Sequence, residues 1–243
     1  MRIAKRTSRT TTQPGVPYGP QADALLREIA RRLEQSHGSP RLGNPEDPLD
    51  DLIFVMLSSR TSPELHIQAY DRLKSTYPTW GAAAAAEPEA IYENVARAGL
   101  GRKRAQQIRE LLVRLCKERG AAGLDFLREL DDRAVERVLV ELPGVGLKTA
   151  RCVMLYTLGR QTFPVDAHVR RILSIFGLVD PAVRLEYAQD ALQSLVPPEL
   201  RYSLHVNLVA HGRTICRPQA PRCERCPLEN LCPGSRLRDK DGR

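Results

Sequence analysis

The chain has 243 residues, of which 42% are hydrophobic, enough to bury the core of one large domain or two small ones and to exclude disorder throughout. Lys and Arg number 37 against 29 Asp and Glu, and the net charge of +8 favours a polyanionic partner, either nucleic acid or an anionic membrane surface. No apolar stretch approaches the roughly 20 residues that span a bilayer, and no secretory signal is visible. We therefore expect a soluble intracellular protein, cytoplasmic if bacterial, with no membrane partner.

The spacing of apolar residues predicts an all-α protein. From Asp23 onward these residues recur at helical spacing, the segment from Leu49 to Leu57 is a nearly all-apolar helix, and no strong two-residue period appears. Glycine and proline breaks separate the further predicted helices. These cover 63–77, 88–98, 102–119, 121–130, 132–141, 148–158, 168–176, 184–194 and 199–216.

Composition divides the chain into five segments. Residues 1–20 form a basic, hydroxyl-rich tail, interpreted as a disordered segment or, alternatively, as an organellar transit peptide. The N-terminal helix, in 21–40, is expected to pack with a cysteine-bearing part at 161–232. Residues 41–160 form a separate helical part that includes a helical hairpin at about 132–158, and 233–243 form a C-terminal tail.

A short glycine-containing segment, Leu142-Pro143-Gly144-Val145-Gly146, joins the predicted helices 132–141 and 148–158. So few residues leave room only for a tight hairpin, and two glycines permit positive φ and close approach of a ligand. The amide groups and the positive dipole end of the second helix then suit a DNA phosphate. An ordinary helix–turn–helix corner that binds nothing uses the same two glycines.

Four of the six cysteines, Cys216, Cys223, Cys226 and Cys232, fall within one short segment near the C-terminus. In an intracellular protein such a group favours metal ligation over disulfides. Zinc and an iron–sulfur cluster are the two alternatives. Zinc ribbons usually have two Cys-x2-Cys pairs, whereas this segment has one, so its spacing is less typical of zinc.

Three features together resemble the endonuclease III superfamily. The string from Leu142 to Ala150 is similar to its helix-hairpin-helix, the string from Val165 to Arg171 is similar to the segment that follows, and the unequal cysteine spacing matches its iron–sulfur loop. The resemblance covers the chain from about Asp23 to Cys232. It implies a monomer with two helical parts and a DNA groove between them, and a [4Fe–4S] cluster held by the four cysteines. The implied partner is double-stranded DNA with damaged bases or abasic sites.

The resemblance also implies two catalytic residues, Lys148 and Asp166. Lys148 falls in the first turn of the second hairpin helix, where the helix dipole and partial burial favour a neutral, nucleophilic amine. Asp166 precedes a helix and is expected to cap it by accepting from the amide of His168 or Val169. Because its charge would raise the pKa of Lys148, the resting protonation state of the lysine stays open.

The proposed substrate is a damaged pyrimidine, because adenine-specific relatives carry a serine-like residue in place of Lys148 and a glutamate in place of Phe54. Two positions concern flipping of the base. Arg60 replaces a glutamine that fills the gap left by the flipped nucleotide, and Leu100 matches an apolar wedge. Pro63 replaces an acidic residue, so the base preference of the family does not carry over directly to this chain. A solvent-facing charge is the alternative interpretation of Arg60.

The other DNA contacts expected from the resemblance are Gly144, Val145, Gly146, Thr149, His168, Arg217 and Arg222. Two alternatives to the full glycosylase and lyase reaction stay open, namely a member that acts mainly as a lyase at abasic sites and a non-catalytic damage binder.

Overall fold

The computed structural model describes residues 19–235, which contain α-helices and short 3-10 turns but no β-strand. The prediction of an all-α fold is confirmed. The predicted tails, 1–20 and 233–243, lie outside the described residues except for 19–20 and 233–235. The helices are α1 (Pro20–His37), α2 (Pro48–Ser58), α3 (Pro63–Thr76), α4 (Trp80–Ala85), α5 (Pro88–Val95), α6 (Gly101–Arg119), α7 (Asp132–Val140), α8 (Leu147–Tyr156), α9 (Ala167–Ile175), α10 (Leu185–Leu195) and α11 (Arg201–Thr214).

The described residues divide into two compact units. The internal unit is 39–164, and the terminal unit combines 19–38 with 165–235. The sequence predicts the two boundaries after residue 40 and after residue 160, whereas the units divide after residues 38 and 164.

The internal unit is built around α2. Asp47 caps this helix by accepting hydrogen bonds from the amides of Leu49 and Asp50, and Pro48 occupies its first turn, where a missing amide proton costs nothing. Nearly every residue from Pro48 to Leu57 is buried, and α3, α6 and α8 pack against the helix. The apolar core of the unit therefore surrounds α2.

One carboxyl group is buried inside this core. Asp51 on α2 is 0% exposed and accepts hydrogen bonds of 2.6 Å from the amide nitrogen of Asn44 and the hydroxyl of Thr157. Thr157 directly follows α8, so Asp51 holds the C-terminal end of that helix to α2. Burial raises the pKa of Asp51 from 3.8 to about 6, while these two hydrogen bonds and the charge of Lys148 lower it in part.

In the terminal unit, α11 has the central position. Residues on all its faces are buried, and α1 and α9 pack against it. Asn207, fully buried on α11, donates to the carboxylate of Glu34 on α1 at 2.7 Å. A Cβ at Gly212 would lie 2.6 Å from Nδ1 of His168, so the absence of a side chain there lets α9 approach α11 closely.

Two segments predicted to be α-helical contain 3-10 turns. The predicted helix 121–130 is wrong, because Gly120 ends α6 in a left-handed conformation (φ 80°) and only a 3-10 turn, Asp125–Glu129, follows. The segment 199–216 contains a 3-10 turn, Pro198–Leu200, and then α11, which ends at Thr214. Within 19–235, no helix is both long and apolar enough to cross a membrane.

The buried carboxyl group generates a prediction about pH. Because the folded pKa of Asp51 is raised, the folded state holds more protons than the unfolded state between about pH 4 and pH 6, and stability falls as the pH rises through this window. The full loss is about 3 kcal/mol. This loss is absent in Asp51→Asn. As the pH rises from 4 to 7, the free energy of unfolding of the variant should therefore increase by about 3 kcal/mol relative to that of the parent.

Urea unfolding of the parent and the variant at pH 4 and at pH 7 measures this difference. The transition is followed by the fluorescence of Trp80, which is the sole tryptophan and lies in the internal unit. Asp71→Asn, at an exposed position of the same unit, is the control. If the two variants change equally between the two pH values, Asp51 does not titrate as described.

Candidate active site and cysteine loop

The hairpin between α7 and α8 is a tight turn closed by its own backbone. The amide of Leu142 donates to the carbonyl of Leu139, and the amide of Val145 donates to that of Leu142, both at 3.1 Å. Gly144 has φ 76°, a left-handed conformation in which glycine is favoured. The expectation of positive φ at both glycines is wrong for Gly146, whose φ is −100° and which starts α8 from an extended conformation.

Gly144 is also required by its neighbour on α6. A Cβ at this position would lie 2.6 Å from Cδ of Gln107, so the glutamine side chain packs directly on the turn. Oε1 of Gln107 in turn accepts a hydrogen bond of 3.1 Å from Arg104, which is 8% exposed. Gln107, which packs against the hairpin, is therefore itself positioned by a hydrogen bond.

Gly146 faces open space instead. A Cβ there would meet no atom within 4 Å, and the residue provides no side-chain cap for the first turn of α8. Lys148 and Thr149 lie in that first turn and are half-buried. Val145 is buried in the core, so only the backbone of the turn is available for its expected DNA contact.

Asp166 occupies the N-cap of α9. Its Oδ1 accepts a hydrogen bond of 2.8 Å from the amide of Val169, so the predicted capping role is confirmed. The carboxylate is half-buried. Lys148 belongs to the internal unit and Asp166 to the terminal unit, so the expected pairing of these side chains, like the expected groove, stays a prediction.

Arg171, one turn after Asp166 on α9, connects that helix to the cysteine segment. Its guanidinium donates to the carbonyl of Cys216, to that of Gly212 at 3.4 Å, and to Nδ1 of His168 at 3.4 Å. His168 is half-buried against α11, and burial lowers its pKa. The sequence string contained Arg171, but no sequence signal assigned it this bridging position.

Arg60 and Leu100 occupy two turns of the internal unit. Both have left-handed backbones, with φ 58° and 63°, although neither is glycine. Both side chains are exposed, and that of Leu100 is an apolar group at 48% exposure. The turns contact each other, because the amide of Gly99 donates to the hydroxyl of Thr61 at 2.8 Å.

The two neighbouring departures from the resembled pattern have structural roles. Phe54 is buried, with its ring packed edge-on against His66 and Tyr70 at centroid distances of 4.7 and 5.4 Å. Pro63 is the first residue of α3, directly after the N-cap Ser62. Proline is favoured at that position.

The four cysteines of the C-terminal segment line one cavity of about 180 Å³ in the terminal unit. This cysteine loop contains only 3-10 turns, at Cys223–Arg225 and Glu229–Leu231. Throughout 19–235, no three His, Cys, Asp or Glu side chains converge as ligands of a metal ion. Four thiols around a shared cavity fit a multi-atom cluster better than they fit one central ion.

The surroundings of the loop also suit a buried metal centre. Burial raises the pKa of Cys216 and that of Cys226, the latter to about 11, so thiolates there need a cationic partner. His211, 1% exposed, lies with Nε2 3.5 Å from Sγ of Cys226 and with Nδ1 3.1 Å from Nε2 of His37 on α1. His211 therefore connects the thiol of Cys226 to α1 through two imidazole rings.

The two expected phosphate-binding arginines of the loop differ in exposure. Arg222 is exposed and Arg217 is half-buried, and both line the cysteine cavity. Within the described part of the chain, the Nε of Arg217 is buried and has no hydrogen-bond partner.

Residues 53–198 match the HhH-GPD superfamily, described as base excision DNA repair proteins, and this span is more than half of the chain. The endonuclease III of Thermotoga maritima is 34% identical over 218 residues, which cover 90% of this chain and 95% of that protein. The DNA glycosylase/AP lyase ROS1 of Arabidopsis thaliana is 29% identical over 181 residues, which cover 67% of this chain and 13% of that protein. A solved structure, a trapped endonuclease III–DNA covalent intermediate, has a TM-score of 0.78 at 25% identity, covering 89% of this chain and 98% of that chain.

The two hairpin glycines provide a matched pair of variants. Gly144→Ala places a Cβ in a left-handed backbone and against Gln107, so it should lower the free energy of unfolding by about 1–2 kcal/mol. Gly146→Ala meets no protein atom, and alanine in place of glycine at this N-cap should lower it by only about 0.5–1 kcal/mol. Both should weaken binding to a fluorescently labelled DNA duplex, because Gly144→Ala displaces the backbone of the turn and the methyl group of Gly146→Ala occupies space that a phosphate would approach.

Urea unfolding and fluorescence anisotropy measure the two effects separately. If Gly146→Ala binds DNA as tightly as the parent, no phosphate approaches this glycine.

Proposed function

The chain belongs to the HhH-GPD superfamily of base excision DNA repair proteins and, within it, to the endonuclease III family, and we propose that it removes oxidised or damaged pyrimidines from duplex DNA and then cleaves the strand as a lyase. Membership makes it a DNA-binding base excision repair glycosylase. The damaged base, the lyase step, a monomeric state, an intracellular location and the residue roles belong to the proposal.

The observation that carries the proposal is the position of Lys148 in the first turn of α8, immediately after the Gly144–Gly146 hairpin. A phosphate held at the hairpin brings the neighbouring sugar toward the first turn of this helix. The trapped covalent intermediate of an endonuclease III and the lyase named among the relatives support a nucleophilic role for this amine.

The proposed reaction uses Lys148 in both steps. Its neutral amine attacks C1′ of a flipped nucleotide while the bond from C1′ to the base breaks, and the base leaves with a proton. The bond from C1′ to the ring oxygen O4′ then breaks, O4′ takes up the proton that the amine nitrogen releases, and the opened sugar is joined to the lysine as an imine. The imine makes the 2′ proton acidic. Removal of that proton breaks the bond from C3′ to the phosphate oxygen by β-elimination, and water then releases the lysine.

Asp166 has the complementary electrostatic role in the proposal. Its carboxylate stabilises positive charge that develops on the sugar as the base departs, or takes the proton from the attacking amine. The hydrogen bond from the amide of Val169 limits the rotation of this side chain, so the carboxylate is preorganised at the start of α9.

The remaining DNA contacts are assigned by position. The backbone of Gly144, Val145 and Gly146, with Thr149, is proposed to hold a phosphate, and His168, Arg217 and Arg222 are proposed to contact the DNA backbone. Arg60 and Leu100 are proposed to enter the base stack where the nucleotide leaves it.

We assign a [4Fe–4S] cluster to Cys216, Cys223, Cys226 and Cys232, on the evidence of the cavity that they share. When bound, the cluster supplies folding free energy to a loop that has little core of its own. The guanidinium of Arg171 fixes the backbone of Cys216, and Arg32 on α1 donates to the carbonyl of Pro227 at 3.3 Å, so the protein positions the start of the loop and its backbone next to Cys226.

The role of Lys148 predicts a covalent adduct. Borohydride added during turnover on a duplex with an abasic site or an oxidised pyrimidine should reduce the imine and join protein to DNA, seen as a slower band in denaturing gels. Lys148→Ala should abolish this adduct and retain DNA binding, because the hairpin backbone holds the phosphate. Lys103→Ala, at an exposed lysine of the same unit, is the control.

Asp166→Asn separates the carboxylate charge from helix capping. Asparagine caps α9 equally well, so DNA binding should persist while base release slows by a factor of at least about 100.

For the Lys148 prediction, an adduct formed by Lys148→Ala at the parental rate on every substrate would assign the chemistry to another amine.

The cysteine loop predicts iron. The purified protein should absorb broadly in the visible range and contain iron and no zinc, because iron–thiolate bonds absorb there and zinc–thiolate bonds do not. Cys226→Ser should lower the iron content and the yield of folded protein, whereas Cys116→Ser, on α6, should leave both unchanged. One zinc per chain without iron would contradict the assignment.

A further inference from the structure

The turns that carry Arg60 and Leu100 are joined by one hydroxyl group. Oγ1 of Thr61 accepts a hydrogen bond of 2.8 Å from the amide of Gly99 and donates one of 3.2 Å to the carbonyl of Ser59. The hydroxyl group of Thr61 therefore acts both as an acceptor and as a donor within the two turns. A Cβ at Gly99 would lie 2.5 Å from the carbonyl oxygen of Arg60, so the two backbones are in direct contact.

Both turns are strained in the free protein. Left-handed backbones at Arg60 and Leu100 are unfavourable for residues with a Cβ. Burial of the Leu100 side chain does not offset the cost of its backbone conformation, because that side chain is exposed. The two strained turns lie next to each other and expose the apolar side chain of Leu100 and the guanidinium of Arg60.

The Leu100 turn is also in fixed register with the hairpin. The carbonyl of Leu100 accepts from the amide of Arg104 at 2.9 Å, which starts α6, and Gln107 on the same helix packs against Gly144. Along an α-helix, seven residues span about 10 Å. One rigid helix thus sets the distance between the hairpin and the Leu100 turn.

We propose that Thr61 is a positioning residue that joins the Arg60 and Leu100 turns into one rigid wedge, so that both side chains enter the base stack together when a nucleotide is flipped. The inference rests on the proposed function and adds a residue that has no assigned role in it. A wedge ordered before DNA arrives loses less conformational entropy on insertion than two independent turns. The hydroxyl of Thr61 supplies that order, because it connects the Arg60 turn to the backbone of Gly99, directly before the N-cap of α6.

The test uses Thr61→Val, which keeps the shape of the side chain and removes the hydroxyl, and Thr61→Ser, which keeps the hydroxyl. Gly99→Ala separates the same turns sterically. Ser75→Ala removes a hydroxyl of the same unit that donates to the carbonyl of Asp71, and it serves as the matched control. The unfolding temperature of each variant, followed by Trp80 fluorescence, reports purely structural effects.

Two DNA readouts distinguish positioning from stability. The first is base release from a duplex with one 5-hydroxyuracil, compared with strand cleavage at a pre-formed abasic site. The second is the fluorescence of 2-aminopurine placed opposite the 2′-fluoroarabino analogue of 5-hydroxyuracil, whose bond to the base resists cleavage. This fluorescence rises when 2-aminopurine loses its stacking, so it reports insertion without any chemical step.

Thr61→Val should slow base release about tenfold, the loss expected for one hydrogen bond that stabilises the inserted state. Cleavage at the abasic site should fall by less than about threefold, because a sugar without a base costs little to extrude. The 2-aminopurine signal should drop in Thr61→Val and Gly99→Ala and should return in Thr61→Ser.

Equal losses on both substrates that follow the unfolding temperature, or no loss on 5-hydroxyuracil, would overturn the inference. A parent protein that cleaves neither substrate would overturn the proposed function alone. In that case the 2-aminopurine signal on the uncleavable duplex still decides the role of Thr61.

Discussion

Because α2 is buried along almost its whole length, its neighbours can pack only around it, and two side chains at its N-terminal end define its start and join it to α8. Asp47 caps the start, and Asp51 binds the hydroxyl of Thr157 at the far end of α8. The burial of one helix thereby fixes the helix that begins next to Lys148 and the turn that presents Arg60. A volume change inside α2 would displace both, since close-packed interiors transmit strain.

The hairpin and the strained turns illustrate how functional geometry is stabilised away from the ligand. Gly144 can adopt its left-handed conformation without a clash only because no Cβ meets Gln107, and Leu100 keeps its unfavourable backbone because α6 starts there. Each local cost is offset by packing of a long, well-formed helix. The internal unit can therefore present its exposed groups in a fixed arrangement before DNA binds.

Apolar spacing predicted the helices because each one buries a continuous stripe, and the hairpin followed from two glycines between helices. The N-cap at Asp166 was equally accessible, since capping is local in sequence. The contact of Thr61 with Gly99 and that of Asp51 with Thr157 join distant positions, so no local pattern encodes their partners. Asp51 did leave a signal, a charged residue within an apolar run, whereas the open space at Gly146 left none.

In the terminal unit, one short helix carries the proposed catalytic carboxylate and also contacts the cysteine loop. Asp166 starts α9, and Arg171, little more than one turn later, binds the carbonyl of Cys216. His211 on α11 and Arg32 on α1 contact the same loop, so three helices converge on it. A loop with no α-helix of its own can thus set the position of α9, and through that helix the direction of the Asp166 carboxylate. Loss of the proposed cluster is therefore expected to slow the proposed reaction through the position of α9, since Asp166 starts that helix.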